Sequence, residues 1–213
     1  MANALIYCPS GGGKTINSTT VETGKRGKNL LLCSDNSSVV LKNFDRPNLD
    51  IHSIKDIADF YTKFDASVDK YDTIIIDNIS DLFDMWILEL DASDKFKDFR
   101  QAYQLVYNAL KRLTRKAGQL NCNVIFTAWH DITEITQLTG EKIMRISPKI
   151  QAKILDNVCG LCNIVAYIAT AEKDGQKVWY YVLEGGPALY AKDQLFCRKS
   201  CMPQDIFTGK GAK

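Results

Sequence analysis

The apolar run Ala4-Leu5-Ile6-Tyr7 leads straight into Pro9-Ser10-Gly11-Gly12-Gly13-Lys14-Thr15. This pairing constrains the fold more than any other feature of the chain. A buried strand, a glycine-rich turn and Lys-Thr at the start of a helical stretch form the phosphate-binding loop of a nucleoside triphosphatase. The glycines let the backbone curl until successive N–H groups point inward and make a concavity for an anion. The helix that starts at Lys14 turns its positive end to the same spot. Lys14 is then expected to reach the β- and γ-phosphates and the Thr15 hydroxyl to ligate Mg²⁺, with Pro9 to Ile16 forming the nucleotide cradle. One position departs from the pattern G-x-x-x-x-G-K-[ST]: Cys8 stands where a glycine usually serves the sharp exit from the strand.

A second segment fits the first. Tyr71-Asp72-Thr73-Ile74-Ile75-Ile76-Asp77 is a β-branched run that ends in an acid. Such a strand is buried on both faces of a parallel sheet. A carboxylate at its C-terminal end points into the crevice where open α/β sheets bind ligands. Beside Lys14 and Thr15, Asp77 is predicted to hold the Mg²⁺, directly or through water.

The 213 residues suffice for one sizeable α/β domain, predicted over 1–207 with a flexible tail at 208–213. No apolar stretch approaches the ~20 residues of a bilayer span, and no basic-then-apolar leader is visible at the N-terminus, so a cytoplasmic protein is expected. A formal net charge of +2 announces no global field for nucleic acid, so any DNA contact must come from local patches. The odd count of seven cysteines points to a reducing compartment. Cys159-x2-Cys162 and Cys197-x3-Cys201 have spacings open to zinc. The alternative is two unrelated pairs of small buried residues, favoured by the distance between the pairs.

Along the chain, strands are predicted at 3–8, 28–34, 49–54, 71–77 and 121–129. Helices are predicted at 14–26, 55–67, 80–92 and roughly 95–119. The 55–67 helix carries Ile57, Phe60, Tyr61 and Phe64 on one face, and the last helix an inward stripe of Phe99, Tyr103, Val106, Leu110 and Leu113. Residues 132–146 alternate about Thr139-Gly140 as a β-hairpin. Pro148 suits the first turn of a helix running to about Val158. Strands at 163–171 and 178–183 flank an Asp174-Gly175 turn. Strands alternating with helices give an α/β fold: a RecA-like phosphate-loop core with a mainly parallel sheet flanked by helices, and antiparallel hairpin strands near the C-terminus.

The segments YCPSGGGKT at 7–15, YDTIIIDNISDL at 71–82, NVIFTAWH at 123–130, SPKIQAKILDNVCGLCNIVAYI at 147–168 and LFCRKS at 195–200 together resemble the short phage and prophage RecA-like ATPases (AAA-type) associated with single-strand annealing and recombination. The resemblance covers nearly the whole chain. It implies a DNA-stimulated ATPase using ATP and Mg²⁺, assembly into rings or filaments with nucleotide at subunit interfaces, and single-stranded DNA, with a single-strand-binding or replication protein, as partners. It also implies a catalytic acid after the second strand, where this chain offers Asp35, one methylene shorter than the usual Glu. Asp35 is equally a loop residue or helix cap before Asn36 and Ser37.

Other residues have weaker claims. His130, after the strand at 123–129, is a candidate γ-phosphate sensor, and Thr127 a lesser one. Lys149 and Arg198 are candidate cations acting on a neighbour's phosphates. Lys142 and Arg145, on the hairpin beyond the sensor strand, are the DNA-contact candidates. Lys111, Arg112, Arg115 and Lys116 share a helix side and suit a solvated face. Two further readings remain: a nucleotide-dependent loader or regulator of a replication or recombination partner, with weak hydrolysis of its own, and a small phosphotransferase, which would need an arginine-rich lid that the sequence lacks. Because the loop reading rests on Lys14, Lys14→Ala is expected to abolish ATP turnover in a phosphate-release assay. Hydrolysis at the wild-type rate would refute the assignment.

Overall fold

The computed structural model of the chain describes residues 1–93 and 98–211. The residues form ten strands: β1 (Asn3–Cys8), β2 (Asn29–Cys33), β3 (Leu49–Ser53), β4 (Thr73–Asp77), β5 (Asn123–Thr136), β6 (Lys142–Pro148), β7 (Ile164–Lys173), β8 (Gln176–Val182), β9 (Lys192–Asp193) and β10 (Ser200–Cys201). Five α-helices join them: α1 (Lys14–Ser18), α2 (Ile57–Asp65), α3 (Ile79–Ala92), α4 (Phe99–Ala117) and α5 (Ala152–Leu161). The sheet order is β10-β8-β7-β1-β5-β4-β2-β3. From β3 through β7 every neighbouring pair is parallel. The pairs β7–β8, β8–β10, β7–β9 and β5–β6 are antiparallel. The fold class is therefore α/β with a mainly parallel sheet and antiparallel C-terminal strands. β5 stands between β1 and β4, so the phosphate-loop strand and the Asp77 strand are not neighbours.

Strand residues alternate between two apolar layers, as the period of two requires. Leu5, Tyr7, Ile74, Ile76, Val124, Phe126 and Ala128 face α2 to α5. Ala4, Ile6, Cys8, Leu31, Cys33, Ile75 and Ile125 face the opposite side with Val21, Leu41 and Ile206. In the first layer Trp86 is fully buried, its ring 5.5 Å from that of Phe60. Of the predicted α4 stripe, Val106, Leu110 and Leu113 are buried, whereas Phe99 is exposed. The predicted start of that helix at 95 lies outside the described residues.

Two helix predictions are corrected. The helix after the phosphate loop spans five residues, not 14–26. The hydroxyls of Ser18, Thr19 and Thr20 each donate to the carbonyl three residues back, at 3.1, 2.8 and 2.7 Å. Ser and Thr offer the backbone this alternative and are weak helix formers. Pro148 opens no helix. It closes β6 opposite His130, where an edge strand tolerates its missing N–H, and α5 begins at Ala152. The two predicted hairpins are present. Asp174 and Gly175 both have positive φ, 53° and 74°, as a type I′ turn demands.

The C-terminal segment is anchored by Arg198. Its Nε lies 2.7 Å from Asp193 Oδ2, with side chains 6% and 0% exposed. Its remaining nitrogens donate to the carbonyls of Asp205, Ile206, Thr208 and Lys210. The chain expected to fray after residue 207 is thus tied down through Lys210. Arg198→Ala strands a buried carboxylate, and breaking such a pair costs about 3–5 kcal/mol. A loss of that size is expected in urea unfolding.

Candidate functional site

The C-terminal ends of β1, β2 and β4 and the middle of β5 converge on one recess. Its lining includes Ser10, Gly11, Gly13, Lys14, Thr15, Ile16, Asp35, Ser37, Asp77, Asn78 and Trp129. Alternation explains which side chains arrive. Asp77 follows Ile75 and Thr127 follows Ile125, so both lie on the α1 side of the sheet.

The loop is glycine-dependent at two points. A Cβ on Gly12 would collide with the Cys8 side chain. The cysteine at the usual glycine position thus fills the space beneath the loop. Gly13 has φ 92°, and a Cβ there would stand 2.8 Å from Asn17 Nδ2 and 3.1 Å from Trp179 Nε1. The Lys14 ammonium donates to the carbonyls of Cys8 and Pro9, at 3.4 and 3.1 Å. It is almost fully buried and, among the described residues, has no carboxylate partner. The N–H groups that open α1 have no partner within the helix. With α1 so short, the loop amides and Lys14 supply most of the positive field.

Asp77 is the centre of the polar network. Thr15 Oγ1 donates to its Oδ2 at 2.5 Å, and Ser37 Oγ to the same oxygen at 2.9 Å. Thr127 Oγ1 donates to Oδ1. Burial pushes the Asp77 carboxyl above its ordinary value, against the lowering effect of the Thr127, Thr15 and Ser37 hydroxyls. The Thr15 hydroxyl and the Asp77 carboxylate are adjacent hard oxygen donors, the set that Mg²⁺ takes alongside substrate phosphates. The donor chemistry therefore fits the ion, and the nearby ammonium fits a phosphate tail. The recess measures about 180 Å³, below the ~300 Å³ at which small-molecule pockets begin.

Asp35 is a cap that also faces the recess. Its side chain caps the 3₁₀ turn Asn36–Asn43, accepting from Ser37 N at 3.0 Å, and it lines the recess. Asn78 Nδ2 also donates to it at 2.9 Å. The network elements missed in the sequence are Ser37, Asn78 and Trp129. Strand parity would have found Trp129, which shares the face of Thr127.

That parity also corrects the sensor prediction. His130 follows Ala128 onto the opposite side of the strand and is not among the residues lining the recess. Thr127 is the residue of β5 that touches Asp77. Lys149 is exposed, its ammonium 5.2 Å from the Trp129 ring centroid, so it stands beside its own chain's recess. Arg198, locked in the C-terminal anchor, is not a free cation for a neighbour's phosphates. On the hairpin, Lys142 pairs with Glu134 at 2.8 Å, and Arg145 stacks over Tyr190 at 4.6 Å. Of the helix α4 cations, Lys116 pairs with Asp65 at 2.5 Å.

The zinc option does not assemble. Cys159 and Cys162 lie in the layer under α2 to α5, whereas Cys201 lies in the opposite one. Among the described residues no group of three or more His, Cys, Asp or Glu gathers for a metal. Nor is any described helix long and apolar enough to cross a membrane.

Fold and site together define a phosphate-loop protein of the ATPase class. A family model described as an AAA domain matches residues 2–195, and the chain belongs to that family. Among curated proteins nothing matches the chain. Among solved structures it is similar to a KaiC-like protein from the hyperthermophilic archaeon Pyrococcus horikoshii OT3. The two are 11% identical over 85% of this chain and 77% of that one, with a TM-score of 0.49.

The raised Asp77 value has a measurable consequence. A carboxyl raised on folding stabilises the fold below the ordinary Asp range, and that contribution is lost as pH rises through the raised value. In EDTA without nucleotide, Asp77→Asn is therefore expected to gain thermal stability relative to wild type as pH rises above about 4, the ordinary Asp value. Melting curves that stay parallel above that pH would contradict the buried-charge account.

Proposed function

We propose that the protein is a Mg²⁺-dependent ATPase whose nucleotide state is passed to the β5–β6 hairpin. The observation that carries this is the 2.5 Å contact of Thr15 with Asp77 beside the buried Lys14 ammonium. In the mechanism, loop amides and Lys14 hold the phosphate tail and stabilise the charge that grows on the transferred phosphoryl group. Thr15 and Asp77 hold the metal, which when bound neutralises phosphate charge. Asp35, at the recess wall, orients the attacking water and takes its proton. Thr127 reads the occupancy of Asp77 directly. Because β5 runs unbroken from Asn123 to Thr136, a shift at Thr127 is carried along one strand into the hairpin.

Single-stranded DNA and a role in phage recombination or replication follow from the resemblance, as does assembly into a ring or filament. One observation favours the second reading, a nucleotide-dependent loader or regulator of a replication or recombination protein. Ile132, Leu138 and Met144 are exposed on the hairpin, and its acids Asp131, Glu134 and Glu141 stand against Lys142 and Arg145. That surface suits a protein better than a phosphate backbone. Calorimetry with Mg-ATP, then turnover with and without single-stranded DNA, tests both. Nucleotide uptake with DNA-stimulated turnover supports the first effector, and uptake with unstimulated turnover supports the second. Absence of ATP and ADP uptake by folded protein overturns the ATPase reading.

A further inference from the structure

Asn78 lines the recess directly after Asp77, and its side chain joins the polar network through Asp35. It is buried at the N-terminus of α3, 1% exposed. Its Oδ1 accepts from Asp81 N at 2.8 Å, capping the helix, while its Nδ2 donates to Asp35 Oδ2 at 2.9 Å. The capping bond fixes which end of the amide faces Asp35, because only the oxygen accepts and only the nitrogen donates. Asp35 is thereby gripped at both oxygens, since its Oδ1 accepts from Ser37 N at 3.0 Å. Ser37 in turn donates Oγ to Asp77 Oδ2 at 2.9 Å.

Asn, Asp and Ser cap helices about equally well. A helix cap alone therefore leaves the choice among them open. Asp has no donor to offer a carboxylate, and Ser would have to serve both partners from one oxygen, whereas Asn reaches the Asp81 amide and the Asp35 carboxylate with two separate atoms.

We propose that Asn78 is a positioning residue that aims the Asp35 carboxylate at the attacking water. The proposal rests on the ATPase reading above and adds to it a specific link between the Asp77 end of β4 and the acid at the end of β2. In the step it serves, a water O–H bond breaks as its proton passes to Asp35, and the water oxygen bonds to the γ-phosphorus. The bond from that phosphorus to the β–γ bridging oxygen breaks, its electron pair leaving with ADP. Asp35 then returns the proton to solvent. With its Nδ2 partner gone, Asp35 is free to rotate away from the line of attack, while the phosphate cradle is untouched.

The test compares wild type with Asn78→Ser, Asn78→Asp and Asp35→Asn by melting, Mg-ATP calorimetry and steady-state turnover. Asn78→Ser keeps a cap and is expected to melt and to bind ATP as wild type does, with KM unchanged, whereas Asn78→Asp sets a second carboxylate against Asp35 and is expected to melt lower. Their kcat is expected to fall by about tenfold or more, a share of the ~10²–10⁴ that a positioned acid–base group supplies. In an Asp35→Asn background, Asn78→Ser is expected to lower kcat no further, because the two residues act as one unit. An additional loss there marks a general structural defect and overturns the proposal, even where a variant is less stable. Wild-type kcat in Asn78→Ser beside an impaired Asp35→Asn also overturns it. Wild-type kcat in Asp35→Asn removes the role of Asp35 itself. Failure of wild-type protein to take up ATP is the separate failure of the ATPase reading.

Discussion

A buried carboxylate needs hydrogen bonds from several directions, since an unpaired one is too costly to keep in the interior. Asp77 draws its donors from three separate elements. Thr15 comes from α1, Thr127 from β5 and Ser37 from the turn after β2. Each of these segments contributes to the recess wall, so the bonds that satisfy one charge also assemble the recess. The oxygen that takes the Thr15 hydroxyl also takes that of Ser37, so two of these segments meet on one atom.

The sheet order gives this arrangement its reach. With β5 inserted between β1 and β4, the strand that carries Thr127 lies against both the loop strand and the Asp77 strand. Beyond Trp129 it leaves the parallel sheet and pairs with β6 alone. A hairpin built on the strand that touches Asp77 is mechanically continuous with the site. Trp129 reinforces the junction. Its ring borders the recess and faces the Lys149 ammonium, and its backbone N–H donates to Ser80 Oγ on α3 at 3.1 Å. On the side of the sheet that carries α1, the short helix leaves apolar surface for Ile206 to cover, and the Arg198 anchor holds that segment in place.

Much of this was legible in the residues. The glycine-rich loop, the Ile74-Ile75-Ile76-Asp77 run and the Asp174-Gly175 turn have few structural alternatives, because each depends on local backbone chemistry. The misplacements arose where a residue's role depends on parity or on distant partners. His130 was one residue out of phase with the face of Asp77. Arg198 looked like a free cation because nothing local reveals that Asp193 and the carbonyls of residues 205–210 enclose it. Pro148 carried a helix-start signal, but pairing with β5 kept it in a strand.

The sequence by itself determined the strand–loop–helix cradle and the acid that serves it, because those rest on glycine geometry, charge and β-branched burial within a few residues. Only the tertiary structure decided that Ser37, Thr127 and Asn78 join them. The elements carrying these three side chains are brought together by sheet order and register, and contacts between segments tens of residues apart leave no local pattern in the chain.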